Sequence, residues 1–280
     1  MREARTVDRT EMEAITTRLR RNIVTSTTAA GSGHPSTSLS QVEVLAVLYF
    51  GGVLRYDPAN PTDPDRDRFI LSKGHGAPGL YAVLAEASYF PVSDLMTLRR
   101  LGSALEGHPN MCRLPGVEAS TGSLGQGLSI GLGHALAGRL DRRDYRVYVM
   151  TGDGETEQGQ VWEAAMFAGN TRLDNLTWII DRNGFQQTAA VDDVQPLDPL
   201  DTKLGAFHFE VRSIDGHSLD EVRDAFRWAA GVRGRPQAII ANTVKGKGVS
   251  LLESAPDKWH GKPIPKDEEE KALEEIGAVR

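Results

Sequence analysis

The chain has 280 residues, 40% hydrophobic and 25% charged, a composition that suits a globular protein with apolar material for a sizeable core. A formal net charge of -6 lacks the surplus of Lys and Arg that a nucleic-acid backbone requires, so nucleic acid is not the expected partner. Cys112 is the only cysteine, which excludes an intrachain disulfide and a thiolate zinc site and fits the reducing cytoplasm.

Met1 to Arg21 is rich in Arg and Glu without a continuous apolar segment, so neither a signal peptide nor a membrane span is expected there. Apolar residues at helical spacing predict helices over Met12 to Val24 and Val42 to Tyr49, the second with Ser38 and Ser40 as candidate N-caps. Strand-like and helical runs then alternate. Strands are expected at 68–71, 146–150, 176–180, 209–214 and 238–243, and helices at 78–87, 126–140, 160–169, near 201–207 and at 219–230. This order predicts an α/β fold, a parallel sheet with helices on both faces joined by right-handed crossovers. No linker interrupts it, so a single domain is expected over 1–280, with 244–280 as a C-terminal tail; the charge run Lys266 to Lys271 reads as a solvated helix face. In such a sheet ligands bind beyond the carboxyl ends of the strands.

Two segments stand at such ends. The strand over 146–150 runs into Thr151-Gly152-Asp153-Gly154, a carboxylate between glycines where backbone can approach an anion closely. The next strand ends in Asp181-Arg182-Asn183-Gly184-Phe185, one crossover later, so the two loops are expected side by side. Magnesium prefers hard oxygens in near-octahedral array. The Asp153 carboxylate, the Asn183 amide oxygen and the Phe185 main-chain carbonyl would supply three, with a diphosphate and water completing the shell. A lone Gly-Asp-Gly is usually a turn in which Asp bonds its own backbone; the second loop at this spacing is what gives it weight.

At this point the sequence resembles the thiamine diphosphate enzymes, whose signature opens with Gly-Asp-Gly and closes with Asn after an intervening helix and strand. The resemblance narrows to transketolase on Ser32-Gly33-His34-Pro35, Leu71-Ser72-Lys73-Gly74-His75-Gly76, Glu106-Gly107-His108-Pro109, Thr121 to Gly127 (Thr-Gly-Ser-Leu-Gly-Gln-Gly), Thr243 to Gly248 (Thr-Val-Lys-Gly-Lys-Gly) and Trp259-His260-Gly261. It implies the diphosphate-binding domain of that fold, with thiamine diphosphate and Mg2+ as cofactors. His75, His260 and the loop Gly122, Ser123, Leu124 would touch the cofactor, with Gly154 and Asn183 on the diphosphate and Gly152, Glu155, Phe185 and Lys245 beside them. His34, His108 and His260 would face substrate oxygens, and these with His75 form the expected catalytic set, since imidazole exchanges protons near neutrality. A zinc site is not expected, because no two histidines have the short spacing that puts them on one helix face; a Walker-type phosphate loop is also missing.

Transketolases hold their cofactor between this domain and a second one that binds the aminopyrimidine and supplies a glutamate. The chain ends soon after His260, so the resemblance implies the N-terminal subunit of a split transketolase, working with a C-terminal pyrimidine-binding subunit in an α2β2 assembly on a sugar or sugar phosphate. Transfer of a two-carbon ketol unit from a ketose to an aldose is the implied reaction; the alternatives are another thiamine diphosphate carboligation or the decarboxylation of a 2-keto acid. Three departures from the family pattern point to a specialised substrate or altered coupling between sites: Ser36-Thr37, Gln186-Gln187-Thr188, and Gln158 where the family usually has Glu, with Glu157 adjacent.

Overall fold

The computed structural model describes residues 4–278, so positions 1–3 and 279–280 of the expected domain lie outside the described residues. Helix α1 (Arg9–Ala30) starts at Asp8, whose side chain accepts from the Glu11 amide, and stops at Gly31 in the left-handed conformation. Two short helices follow, α2 (Pro35–Ser40) and α3 (Val42–Phe50). Ser38 and Ser40 therefore lie inside α2 instead of capping α3, whose N-cap Gln41 makes no side-chain cap bond. Pro35, preset for the first helical position, starts the earlier helix and absorbs both serines.

The alternating pattern then unfolds as β1 (Arg68–Leu71), α4 (Ala77–Glu86), α5 (Gln126–Leu140), β2 (Val147–Gly152), α6 (Gly159–Asn170), β3 (Leu176–Arg182), α7 (Val191–Val194), α8 (Leu200–Ala206), β4 (Glu210–Asp215), α9 (Leu219–Gly231), β5 (Gln237–Asn242), α10 (Ser250–Glu253) and α11 (Glu269–Ala278). All five strands pair in parallel in the order β1-β2-β3-β5-β4. The expected strands agree to within two residues at each end. The four-residue α7 and α10 were not legible, because one turn shows no period. The charge run at 266–271 opens α11 and is mostly exposed.

Successive strand residues face opposite ways, and two apolar layers result. Tyr148, Met150, Ile179, Ile239 and Ala241 pack with α1, α3, α4 and α9; Val147, Val149, Trp178, Ile180 and Ile240 pack with α5, α6 and α8. Both faces are thus covered, and each large aliphatic side chain so buried contributes about 1.5–3 kcal/mol. Close approach of α5 depends on Gly131, where a Cβ would sit 2.2 Å from Val149 Cγ2. Among the described residues no helix is long and apolar enough to cross a membrane.

Candidate active site at the carboxyl edge of the sheet

Strands β1, β2, β3 and β5 are consecutive neighbours, with Gly152 paired to Asp181 and Asp181 to Ala241. The loops that follow them therefore line up along one edge. A cleft of about 310 Å³ lies there, at the lower end of the range for small-molecule sites.

Two of the three buried carboxylates at this edge, Asp181 and Asp153, have opposite surroundings. Asp181 bonds Lys73 Nζ and Thr243 Oγ1, accepts from Ser40 Oγ at 2.6 Å, and lies 3.3 Å from Asn183 Nδ2. Burial opposes its ionisation, but Lys73 and the hydroxyls outweigh that and hold the carboxyl below its ordinary range. Asp153 is 2% exposed and has no ion-pair partner among the described residues. Its Oδ1 accepts from the Gly154 amide at 2.9 Å and its Oδ2 from the Gly184 amide at 2.6 Å. The second bond joins the β2 loop directly to the β3 loop. Burial, with the charge of Asp181 nearby, pushes the Asp153 carboxyl up to about 6.

This donor set fits a hard divalent cation. Asp153 is a desolvated carboxylate with no cation at ion-pair distance among the described residues, and Asn183 and Phe185, the other two expected ligands, line the same cleft. Asn183 Oδ1 accepts from the Phe185 amide at 3.2 Å, which sets the loop's turn. No group of three or more His, Cys, Asp or Glu suited to a metal occurs among the described residues; the expected set has one carboxylate with neutral oxygens.

His34, His75 and His260 form a triangle, with ring centroids 5.2–5.3 Å apart. Burial, then the nearby cations and the other rings, lowers His34 to about 4 and His260 to about 3, and holds His75 well below its ordinary value. Lys245, itself buried and lowered to about 8 chiefly by that burial, has its Nζ 3.0 Å from His260 Nδ1 and 3.4 Å from the Gln186 carbonyl. His34 Nδ1 is buried without a hydrogen-bond partner among the described residues, which leaves it open to a ligand in the cleft. All three rings are therefore neutral at physiological pH and able to accept a proton or donate an N–H. Their ring 15N shifts should stay those of neutral imidazoles from about pH 5.5 to 8.5, apart from small changes as neighbouring groups titrate, and a ring among them taking up a proton near 6.5 would refute this. Because folding lowers their pKa values, the unfolded chain takes up protons first as pH falls below about 6.5, so their linked stability is lost from there downward.

Of the expected residues, His34, His75, Gly122, Leu124, Gly152, Asp153, Gly154, Glu155, Asn183, Phe185, Lys245 and His260 all line this cleft. His108 does not. It is exposed at the rim, its ring against Gly122, where a Cβ would come within 3.1 Å of the imidazole. Ser123 is exposed beside it and is likewise outside the lining. Glu155 reaches the cleft, but its carboxylate is spoken for: Oε1 accepts from Ser72 Oγ at 2.5 Å and the Gly125 amide at 2.8 Å, Oε2 from the Gly152 amide at 3.0 Å. It holds three loops in place. Thr37, Lys73, Glu157, Gln158, Gln186 and Gln187 also line the cleft. Thr37, Gln158, Gln186 and Gln187 are among the departures from pattern, and Glu157 sits beside one of them. In the orientation that lets it donate, the Gln186 amide lies 3.2 and 3.3 Å from the two Glu157 oxygens.

Residues 11–279 match the family model described as transketolase, thiamine diphosphate binding domain. The chain is 49% identical over 223 residues to the 6-deoxy-6-sulfo-D-fructose transketolase subunit SqwG of Clostridium sp. strain MSTE9, covering 80% of this chain and 81% of that one. It is 43% identical over 267 residues to an apulose-4-phosphate transketolase subunit of Actinobacillus succinogenes, covering 95% and 96%. Against the transketolase of Rattus norvegicus it is 45% identical over 92% of its own length but spans only 41% of that enzyme. The Campylobacter jejuni transketolase structure superposes with a TM-score of 0.90 at 33% identity, covering 97% of this chain and 43% of that one. The chain belongs to the transketolase family, as a thiamine diphosphate-binding domain of that fold.

Proposed function

We propose that this chain is the diphosphate- and metal-binding subunit of a two-chain transketolase that moves a two-carbon ketol unit from a ketose to an aldose. The observation that carries the reading is the Asp153–Gly184 hydrogen bond, which fastens the Gly-Asp-Gly loop to the Asn183 loop at the foot of a cleft walled by three imidazoles.

Asp153, Asn183 and the Phe185 carbonyl would hold Mg2+; Gly122, Leu124, Gly152, Gly154 and Asn183 would hold thiamine diphosphate, with Ser123 at the rim. Thiamine diphosphate, when bound, supplies the nucleophilic carbon and the electron sink for C–C bond cleavage. The protein's own part is to position and to move protons. His34 and His260, kept neutral by burial, would accept from the hydroxyls or donate to the hydroxyls and carbonyl of the sugar, and His75 would contact the cofactor. His108, at the mouth, meets the substrate as it enters. Among the described residues Lys245 offers the one cation in the cleft that lacks a buried ion-pair partner, since Lys73 is committed to Asp181.

No arginine lines the cleft among the described residues, so a clamp for an anionic sugar tail falls to a partner. That partner is a pyrimidine-binding subunit that also brings the glutamate, in an α2β2 assembly. The near-complete coverage of the Actinobacillus protein supports the split arrangement. The names of the Clostridium and Actinobacillus relatives carry a sulfonated and a phosphorylated sugar, and an anionic ketose donor is the class proposed here.

Coexpression with a pyrimidine-binding transketolase subunit, followed by a screen of sulfonated, phosphorylated and neutral ketose donors with short aldose acceptors, tests this. Ketol transfer that needs both chains is the expected result. Pyruvate decarboxylation with no ketose donor activity would overturn it.

A further inference from the structure

Behind the cleft lies a second polar cluster that the chemistry above leaves unused. The segment after β5 carries Lys245 into the site, and three hydrogen bonds hold it from behind. Val244 N donates to His217 Nε2 at 2.8 Å, Gly246 N to the Ser36 carbonyl at 2.9 Å, and Arg20 Nε to the Lys247 carbonyl at 3.2 Å. His217 and Arg20 converge on one carboxylate. Arg20 Nη2 donates to Glu43 Oε1 at 2.5 Å, and His217 Nδ1 lies 2.9 Å from Glu43 Oε2. Arg20 and Glu43 are buried, and Glu43 sits in the first turn of α3, within the helix layer. One carboxylate thus ties together the two groups that grip the chain on either side of Lys245.

The tautomer of His217 follows from its partners. A backbone amide has only a proton to give, so Nε2 must accept from Val244, and the ring proton resides on Nδ1, facing Glu43. Packing holds this side of the segment less firmly, because Val244 is 41% exposed. We propose that His217 is a positioning residue for Lys245: its Nδ1–H tautomer, set by Glu43, fixes the Val244 peptide and so aims the Lys245 ammonium into the cleft beside His260. Only the effect on turnover rests on the reading of the cleft as a cofactor site; the clamp itself does not.

Two substitutions separate the roles of the ring. In His217→Gln the amide oxygen stands where Nε2 stood and still accepts from Val244. In His217→Asn the side chain keeps a donor for Glu43 but stops short of Val244. Circular dichroism checks that both remain folded. In the full chain, hydrogen exchange of the Val244 and Gly246 amides, which flank Lys245 and donate to His217 and to the Ser36 carbonyl, is followed by 15N NMR. Wild type and His217→Gln should protect both amides alike, whereas in His217→Asn their protection should fall by roughly tenfold or more as the segment loosens. With the partner subunit, His217→Asn should lower kcat/KM on the order of tenfold, and His217→Gln should recover most of it. Unchanged protection in His217→Asn would overturn the proposal. Should no ketol transfer be found with any partner, the exchange measurement still decides the clamp, and the failure belongs to the functional reading.

Discussion

Asp153→Asn will lower kcat/KM of the assembled enzyme about 10³-fold or more, roughly 4 kcal/mol of transition-state stabilisation, and will weaken binding of Mg2+ and thiamine diphosphate. The substitution keeps the size of the side chain and one acceptor oxygen but removes the charge. Asp153 carries the only carboxylate in the expected metal set, and neutral oxygens alone hold magnesium poorly. Isothermal calorimetry with thiamine diphosphate, with and without Mg2+, checks the binding half of the statement. Full Mg2+-dependent activity in the variant would remove the basis of the assignment.

The same residue makes a prediction of opposite sign for stability. Its folded pKa is raised, from 3.8 to about 6, so the folded chain holds this proton more tightly than the unfolded one. The linked stability is present below about pH 3.8 and is lost as pH rises through about 6. Two units at 1.36 kcal/mol each make that loss about 3 kcal/mol. Asparagine removes the penalty at pH 7 but leaves one of the Gly154 and Gly184 amides without its oxygen, which costs about 1–2 kcal/mol. Without metal, Asp153→Asn should therefore unfold at equal or slightly higher denaturant than wild type. Cofactor binding should strengthen in wild type as pH rises through about 6, where the carboxylate ionises, and should lose that dependence in the variant.

How much of this was visible beforehand depends on the range over which each feature is encoded. Strands at 68–71 and 176–180 and the helix at 126–140 show local periods, and a parallel βα order then dictates that loops after adjacent strands share an edge. The meeting of Asp153 with the Asn183 loop was legible for that reason. The Lys73–Asp181 pair was not: its members are 108 positions apart, and no spacing rule reports that a lysine in a Ser-Lys-Gly-His run points under the sheet edge. Glu155 shows the complementary limit. It sits in the right loop, but whether its carboxylate faces a ligand or the Gly125 and Gly152 amides depends on side-chain direction, which backbone pattern leaves open. His108 and Ser123 belong to motifs of the site yet lie outside the cleft's lining, at its mouth, for the same reason.

The second large effect falls on that hidden pair. Lys73 is 0% exposed and Asp181 is 1% exposed, so both charges exist only by virtue of each other and of the donors from Thr243, Ser40 and Asn183. Lys73→Met removes the cation and leaves the carboxylate buried and uncompensated, which costs about 3–5 kcal/mol, a large share of the roughly 5–15 kcal/mol that holds a domain together. Adding Asp181→Asn withdraws the stranded charge, so the double variant should be more stable than Lys73→Met alone, with a coupling energy above about 1.5 kcal/mol in urea unfolding. Activity should not follow stability back. Asp181 also accepts from the amide of Asn183, one of the proposed cation ligands, so the double variant should fold and still bind Mg2+ and thiamine diphosphate weakly. Additive losses in the two single variants would show that the pair is not coupled, and that the carboxylates at this edge are kept apart in charge by something other than Lys73.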